Sequence, residues 1–156
     1  MINCKIESDF DSLDSLYQKT KWTPNSSQVR PSDVVLNKKI EEINEILNKY
    51  HSLKDYILHI IFKIPVTRER GKLKSKHYSE NNNCCLFINK YPYNLNFGTK
   101  HYILWYLNSK KIKNDQEITK DIRDRLGGKA EFVWMENPKM SIPELYHVQI
   151  FVRFIT

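Results

Sequence analysis

Hydrophobic positions in this chain recur first with the period of a helix and later with the period of a strand. After Pro31, Leu36, Ile40, Ile43, Leu47 and Tyr50 return at intervals of three or four residues, which predicts a helix with one apolar stripe. Ser32 suits its N-cap and Asp33 its first turn, because the first backbone N–H groups of a helix lack partners. Lys38, Lys39, Glu41, Glu42 and Glu45 then form a solvated face. A second helix is expected from Ser52, with Asp55 completing a variant capping box and Tyr56, Ile57, Ile60 and Ile61 supplying core contacts. Pro65 bounds it, and His59 within it reads as a core or boundary histidine.

The second half changes period. Cys84 to Ile88, His101 to Leu107, Glu131 to Met135 and Tyr146 to Ile155 are rich in β-branched and aromatic residues and read as strands. Between the second and third lies a helical pattern from about Asp115 to Leu126, with Ile118, Ile122 and Leu126 inward and Gly127-Gly128 as its C-cap. The order αα-ββ-α-ββ predicts an α+β fold: a single mixed or antiparallel sheet of about four strands with helices packed on one face. Residues 1–31 read as an N-terminal extension, with Phe10, Leu13, Leu16 and Tyr17 spaced for one face of a short helix. Residues 32–156 read as a single α+β domain.

Composition narrows the partner. The chain of 156 residues is 40% hydrophobic, long enough and apolar enough for a core, and carries a formal charge of +7. That balance favours an anionic partner such as nucleic acid, a nucleotide or a membrane surface. Arg68, Arg70, Lys72, Lys74 and Lys76 alternate strictly, so an extended segment would place all five on one side. This reads either as a phosphate-tracking arm or as a mobile charged loop, the latter favoured by Asn81-Asn82-Asn83. Cys4, Cys84 and Cys85 are odd in number and show no CxxC spacing, which argues against a zinc site and for a reducing compartment. The opening MINCKIESDFD has no apolar core of a signal peptide, and no stretch approaches ~18 apolar residues, so a cytoplasmic protein without a membrane span is expected.

Candidate chemistry gathers in two segments. One is Asn89-Lys90-Tyr91-Pro92-Tyr93 followed by His101-Tyr102-Ile103-Leu104-Trp105; the other runs from Trp134 through Glu136 to His147 and Arg153. Each has a histidine at the start of a strand and a proline-containing turn before it. Alternation places His101, Ile103 and Trp105 on one face of their strand, and His147, Gln149, Phe151 and Arg153 on one face of theirs. Val148, Ile150 and Val152 are purely aliphatic and belong to the core, so the His147 face looks toward solvent, a ligand or a partly polar groove. If His101 shares that side, the histidines could converge for acid–base work or phosphate contacts; otherwise each merely bonds a neighbouring carbonyl. Two histidines are too few for a metal site. Tyr91, Tyr93, Trp105 and Trp134 could stack a flat ligand, and Glu136 could accept from a guanine edge. The chain has no Walker A, GxGxxG or GxSxG motif, and no cofactor is expected.

Asn89, Tyr91, Pro92, Tyr93, His101, Trp105, Trp134 and His147, in that order, resemble the pattern of the N-acetylglucosamine-induced protein family, common in fungi. Tyr50 to Leu58 looks like the helix upstream of that motif, and the resemblance spans about residues 35–153. Lys90 stands where the family usually has Asp, and Leu145 and Gln149 flank His147 where many members have His-x-His. The resemblance implies a shared site but brings no defined activity; the family label records induction by a sugar.

These readings favour a binding domain for a nucleotide or RNA end, such as an mRNA 5′ cap. Tyr91, Tyr93, Trp105 and Trp134 would stack; His101, His147 and Arg153 would hold phosphates; Glu136 would read a base edge; and Arg68 through Lys76 would follow the attached chain. The alternatives are an enzyme acting on a phosphorylated sugar or sugar nucleotide through His101 and His147, and a module whose basic arm docks an acidic protein partner.

Overall fold

The computed structural model describes residues 32–91, 99–136 and 142–154. Helix α1 (Asp33–Lys49) begins as the cap chemistry requires: the Ser32 side chain accepts from the Val35 N–H at 3.3 Å. Helix α2 (Leu53–Ile60) follows directly. Ser52 Oγ accepts from the Asp55 N–H at 3.0 Å and donates to Asp55 Oδ2 at 2.7 Å, so Ser52 caps the helix while the Asp55 carboxylate bonds the Ser52 hydroxyl rather than its backbone N–H, and the expected capping box is only half made.

Strands β1 (Val66–Glu69) and β2 (Lys72–Ser75) form an antiparallel hairpin. Its two-residue turn, Arg70-Gly71, has positive φ at both positions, 51° and 83°, as a hairpin turn that follows strand twist demands. The hairpin is tied to the helix junction. Ser75 N–H donates to Asp55 Oδ1 at 2.9 Å, and His51 N–H donates to the Leu73 carbonyl at 2.9 Å.

The main sheet comprises β3 (Cys84–Ile88), β4 (Thr99–Tyr106), β5 (Ala130–Met135) and β6 (His147–Phe154). Its four strands are antiparallel in the order β3-β4-β6-β5. Helix α3 (Asp115–Leu126) lies between β4 and β5 in sequence and opens on a reciprocal capping box of Asn114 and Glu117. Gly127 ends it at φ 85°, where a side chain would be strained. The α+β class and the four-stranded sheet match the sequence reading.

The helices divide between the two sheet faces, whereas the sequence reading placed them on one. Ile118 and Ile122 of α3 pack on Leu104, Tyr106, Val148, Ile150 and Val152. Ile57 and Leu58 of α2 pack on the other side with Trp105, Leu107 and Leu145. The reason lies in β4, whose two alternating sets, Tyr102/Leu104/Tyr106 and Ile103/Trp105, are both apolar and both need cover.

The basic alternation is also redistributed. Directly paired residues share a face, so Lys72 and Lys74 lie beside Glu69 and Thr67 while Arg68 lies beside Leu73 on the other. Arg70 sits in the turn. The chain reversal therefore splits a set that one straight strand would have kept together. Arg68 bonds the Gly71 carbonyl at 3.1 Å and Lys74 lies 3.8 Å from Glu69. Among the described residues no helix is long and apolar enough to cross a membrane.

Candidate functional site

The cross-strand register brings one set of polar and aromatic side chains to the sheet face under α1 and α2. His101 lies opposite Phe151, Ile103 opposite Gln149 and Trp105 opposite His147, so all six share that face. On β3, Cys85 and Phe87 lie opposite Trp105 and Ile103 and join them. Over this face a cleft of about 240 Å³ opens between the sheet and the two helices. Ile43 and Ile46 of α1, Ile57 and Ile60 of α2, and Phe87 and Ile103 of the sheet wall it with hydrocarbon. Asn89, His147 and Gln149 bring polar groups to it, Lys39 and Lys90 bring cations, and Tyr56 and Tyr91 bring phenol rings.

His101 backs this cleft rather than lining it. It is 2% exposed, its Nε2 donates to Gln149 Oε1, and its ring lies 4.6 Å from that of Phe151. Because an amide oxygen only accepts, Nε2 carries the proton. Burial drives the imidazole pKa down to about 4, with the Gln149 bond opposing, so His101 is neutral at physiological pH. Asn89 Nδ2 stands 3.4 and 3.3 Å from the two ring nitrogens and so addresses the ring as a whole. The Asn89 N–H bonds the His101 carbonyl at 2.8 Å, and its side-chain oxygen accepts from the Tyr91 N–H at 2.8 Å. Asn89 thus extends the β3–β4 ladder and starts the turn after it.

His147 reaches the cleft. Its ring stacks on Trp105 at 4.3 Å and 30°, and Nδ1 bonds the Leu145 carbonyl at 2.8 Å. A carbonyl only accepts, so Nδ1 carries the proton and Nε2 keeps its lone pair. Among the described residues no hydrogen bond is made to Nε2. Burial lowers the His147 pKa, the Leu145 carbonyl opposes this, and the charge of Lys39 lowers it further. The two histidines share a face but sit four registers apart along β4 and β6, about 13 Å at the rise of a strand, too far for direct proton exchange.

The sequence-predicted site is therefore divided. Asn89, Tyr91, Trp105 and His147 line the cleft, with His101 behind it. Trp105 is 6% exposed with a ring face against His147, which leaves little of it for a ligand. Trp134 belongs to the opposite sheet face, opposite Ile150, and its indole N–H donates to Thr119 Oγ1 of α3 at 2.9 Å. Glu136 follows it there, bonded by the Tyr146 hydroxyl at 2.7 Å and by Lys111 at 3.2 Å. The expected union of Trp134 and Glu136 with the histidines fails because Trp134 falls on the α3 phase of β5. Arg153 shares the His147 face but lies six residues along β6, about 20 Å away, where it pairs with Glu131 at 3.2 Å. Tyr93 lies outside the described residues.

Lys39 and Glu42, on the helix face that the sequence marks as solvated, turn toward the cleft and its Tyr91 wall. Lys39 lines the cleft, and Glu42 accepts a hydrogen bond from the Tyr91 hydroxyl. Ile40, expected in the inner stripe, is 58% exposed. The inward line is instead Leu36, Lys39, Ile43, Ile46 and Tyr50, whose spacing of three, four, three and four was present in the sequence. A lysine fits that line because its methylene stem can pack on hydrocarbon while its ammonium lies 6.0 Å from the centre of the Tyr91 ring; burial lowers its pKa. Cys84 and Cys85 are unbridged, and burial raises both thiol pKa values. Among the described residues no group of three or more His, Cys, Asp or Glu is placed to hold a metal ion.

No protein-family model matches the sequence, and no curated protein matches it. Among solved structures, the crystal structure of HTC1 is similar in fold. It shares 17% sequence identity at a TM-score of 0.56, with 90% of this chain and 84% of that chain covered. Likeness at that identity speaks for the fold alone.

Proposed function

We propose that this chain is a binding domain for a nucleotide-like ligand, a flat ring bearing an anionic group, held in the cleft beneath α1 and α2. The observation that carries this reading is the cleft itself: hydrocarbon walls over a few convergent polar groups, Asn89, His147 and Gln149. At about 240 Å³ it falls just below the ~300–1,000 Å³ of drug-sized pockets, so a base fits inside while phosphates remain at the mouth. Lys39 and Lys90 supply positive charge there, and Tyr56, Tyr91 and Phe87 replace the tryptophans as ring contacts. The exposed cations Arg68, Arg70, Lys72, Lys74 and Lys76 of the β1–β2 hairpin support an RNA end as the larger ligand, of which a 5′ cap is one form.

The test is a thermal-shift series with mononucleotides, cap analogues and sugar phosphates, with Ile46→Trp as a variant that fills the cleft. A binding ligand raises stability by RT ln(1 + [L]/Kd), and the rise should vanish in Ile46→Trp. No rise with any nucleotide, or an undiminished rise in the variant, would refute the reading. Sugar phosphates belong in the series because of the resemblance to the N-acetylglucosamine-induced protein family.

A second reading, turnover of a sugar nucleotide, is favoured by one observation: the fixed tautomer of His147 with its lone pair on Nε2. A neutral imidazole of that kind can act as a general base. His101 has no place in that reading as a partner acid, being sealed behind Gln149. Product formation lost in His147→Ala with binding retained would decide for the enzyme.

A further inference from the structure

We propose that β3 is a dimerisation edge, pairing antiparallel with β3 of a second copy of this chain about a two-fold axis through Phe87.

The hydrogen-bond phase of β3 is fixed by its ends. Asn89 N–H donates to the His101 carbonyl at 2.8 Å, and Leu107 N–H donates to the Asn83 carbonyl at 2.9 Å. Both contacts continue the β3–β4 register, so the odd-numbered residues of β3 direct their N–H and C=O groups toward β4. Cys84, Leu86 and Ile88 then direct theirs away from the sheet. Arg125 donates to the Cys84 carbonyl at 3.3 Å. Among the described residues nothing bonds the outward groups of Leu86 and Ile88.

The other sheet edge is managed differently. On β5, Glu131 is paired with Arg153, and Arg123 lies 4.9 Å over the Phe132 ring. Charges of this kind discourage strand pairing. The β3 sequence CCLFI contains no charge, no proline and no glycine, and Phe87 and Ile88 are 41% and 59% exposed. An edge that leaves backbone groups open beside large apolar side chains matches another strand, because only a strand satisfies both.

A second copy meets this phase without adjustment. With the axis through Phe87, Leu86 of each copy lies opposite Ile88 of the other. Both are outward-facing residues, so donors meet acceptors without a shift of register. The axis leaves the Arg125 contact at the end of the paired stretch. It also sets Phe87 against Phe87 in a non-hydrogen-bonded pair, where Cα atoms approach to ~4.5 Å and side chains meet most closely. A contact this short belongs to the small class of interfaces, under ~1,200 Å², so association is weak and concentration-dependent.

Sedimentation velocity of the full chain across a concentration series tests the association. The expected result is a rise from the monomer mass of 18.7 kDa toward twice that value, abolished by Ile88→Lys. A monomer at every concentration, or association untouched by Ile88→Lys, overturns the proposal. The axis is tested by Phe87→Cys in a chain carrying Cys4→Ser, Cys84→Ser and Cys85→Ser. The ~4.5 Å approach lies within the Cα range of a disulfide, ~4.4–6.8 Å, so oxidation should yield a covalent dimer. Glu131→Cys in the same background, on the β5 edge, should stay monomeric. Equal cross-linking of both, or none at Phe87→Cys, rejects this axis, and the readout stands even if Ile88→Lys folds poorly. An extended peptide as the true occupant would show as a persistently monomeric chain, which also overturns the proposal.

Discussion

The two faces of the sheet solve the burial problem in opposite ways. Under α3, Leu104, Val148, Ile150 and Val152 meet Ile118 and Ile122, six aliphatic side chains each with no exposure at all. Under α1 and α2, the same two strands present His101, Trp105, His147 and Gln149. Branched aliphatic chains interdigitate and close the space. Rings and amides must also satisfy their polar atoms, and they do so with one another: His101 with Gln149, His147 with the Leu145 carbonyl. That constraint fixes their orientation and leaves the cleft unfilled beside them. The polar side chains of this sheet lie on the face where the packing is incomplete.

The contrast can be broken first by mutation. Ile150→Ala opens a hole in the closed face and should cost ~2–5 kcal/mol of unfolding free energy, with ligand affinity in the cleft unchanged. Denaturant titration measures the first and the thermal-shift series the second. A loss under ~1 kcal/mol would mean that the aliphatic face relaxes around cavities as readily as the cleft face tolerates one.

Acid should separate the faces next. His101 has a pKa of about 4 in the fold against 6.5 for an unperturbed imidazole. Below 6.5 the unfolded chain therefore binds a proton that the folded chain refuses, and stability falls as pH drops from about 6.5 toward about 4. The contribution is present in full above 6.5. The gap amounts to ~3 kcal/mol at ~1.4 kcal/mol per tenfold. His147, also lowered, adds in the same direction. His101→Asn should flatten the slope in this window, while Ile150→Ala should keep it. Equal slopes in the wild type and His101→Asn would show that His101 is not held neutral by burial.

Gln149→Leu probes the polar lattice of the cleft face. It removes the Gln149 acceptor of His101 Nε2 while keeping the volume, so one buried hydrogen bond is lost at a cost of ~0.5–1.5 kcal/mol. It also replaces one polar cleft group with hydrocarbon. Nucleotide affinity should drop with stability, in contrast to Ile150→Ala. Retained affinity would move the ligand's polar edge to Asn89 and His147.

Much of this architecture was legible because it rests on short-range chemistry. Ser32, Ser52 and Asn114 cap their helices through contacts three residues away, and such contacts are written in sequence. Strand alternation likewise put His101 with Trp105 on one face of β4 and His147 with Gln149 on one face of β6, and the β4–β6 register then made these the same face of the sheet. Less legible was what depends on rotation or reversal. The stripe of α1 could be drawn through Ile40 or through Lys39, and only packing against α2 and the sheet chose the second. The Arg70-Gly71 turn lacks the usual Asn or Asp, so the basic run reads as an extended arm or a mobile charged loop rather than a hairpin. Trp134 fell to the α3 face because the phase of β5 depends on its pairing with β6, a contact distant in sequence.

The smallest effect sharpens the boundary of the site. Arg153 continues the His147 face of β6, which is why the sequence placed it beside the histidines as a phosphate ligand. Its distance along the strand, about 20 Å, and its partner Glu131 place it at the sheet's far end. The pair is 41% and 56% exposed, so solvent screens it and the bridge is worth ~0–1 kcal/mol. Arg153→Ala should therefore shift the melting temperature only slightly and leave mononucleotide affinity within about twofold, a change of ~0.4 kcal/mol. Lys39→Met, at the cleft itself, removes the charge while keeping most of the stem, and should weaken binding of a phosphate-bearing ligand more than that of the bare nucleoside. If Arg153→Ala weakens the nucleotide as much as Lys39→Met does, the anion lies along β6 rather than at the mouth, and the cleft face is a longer site than its cavity suggests.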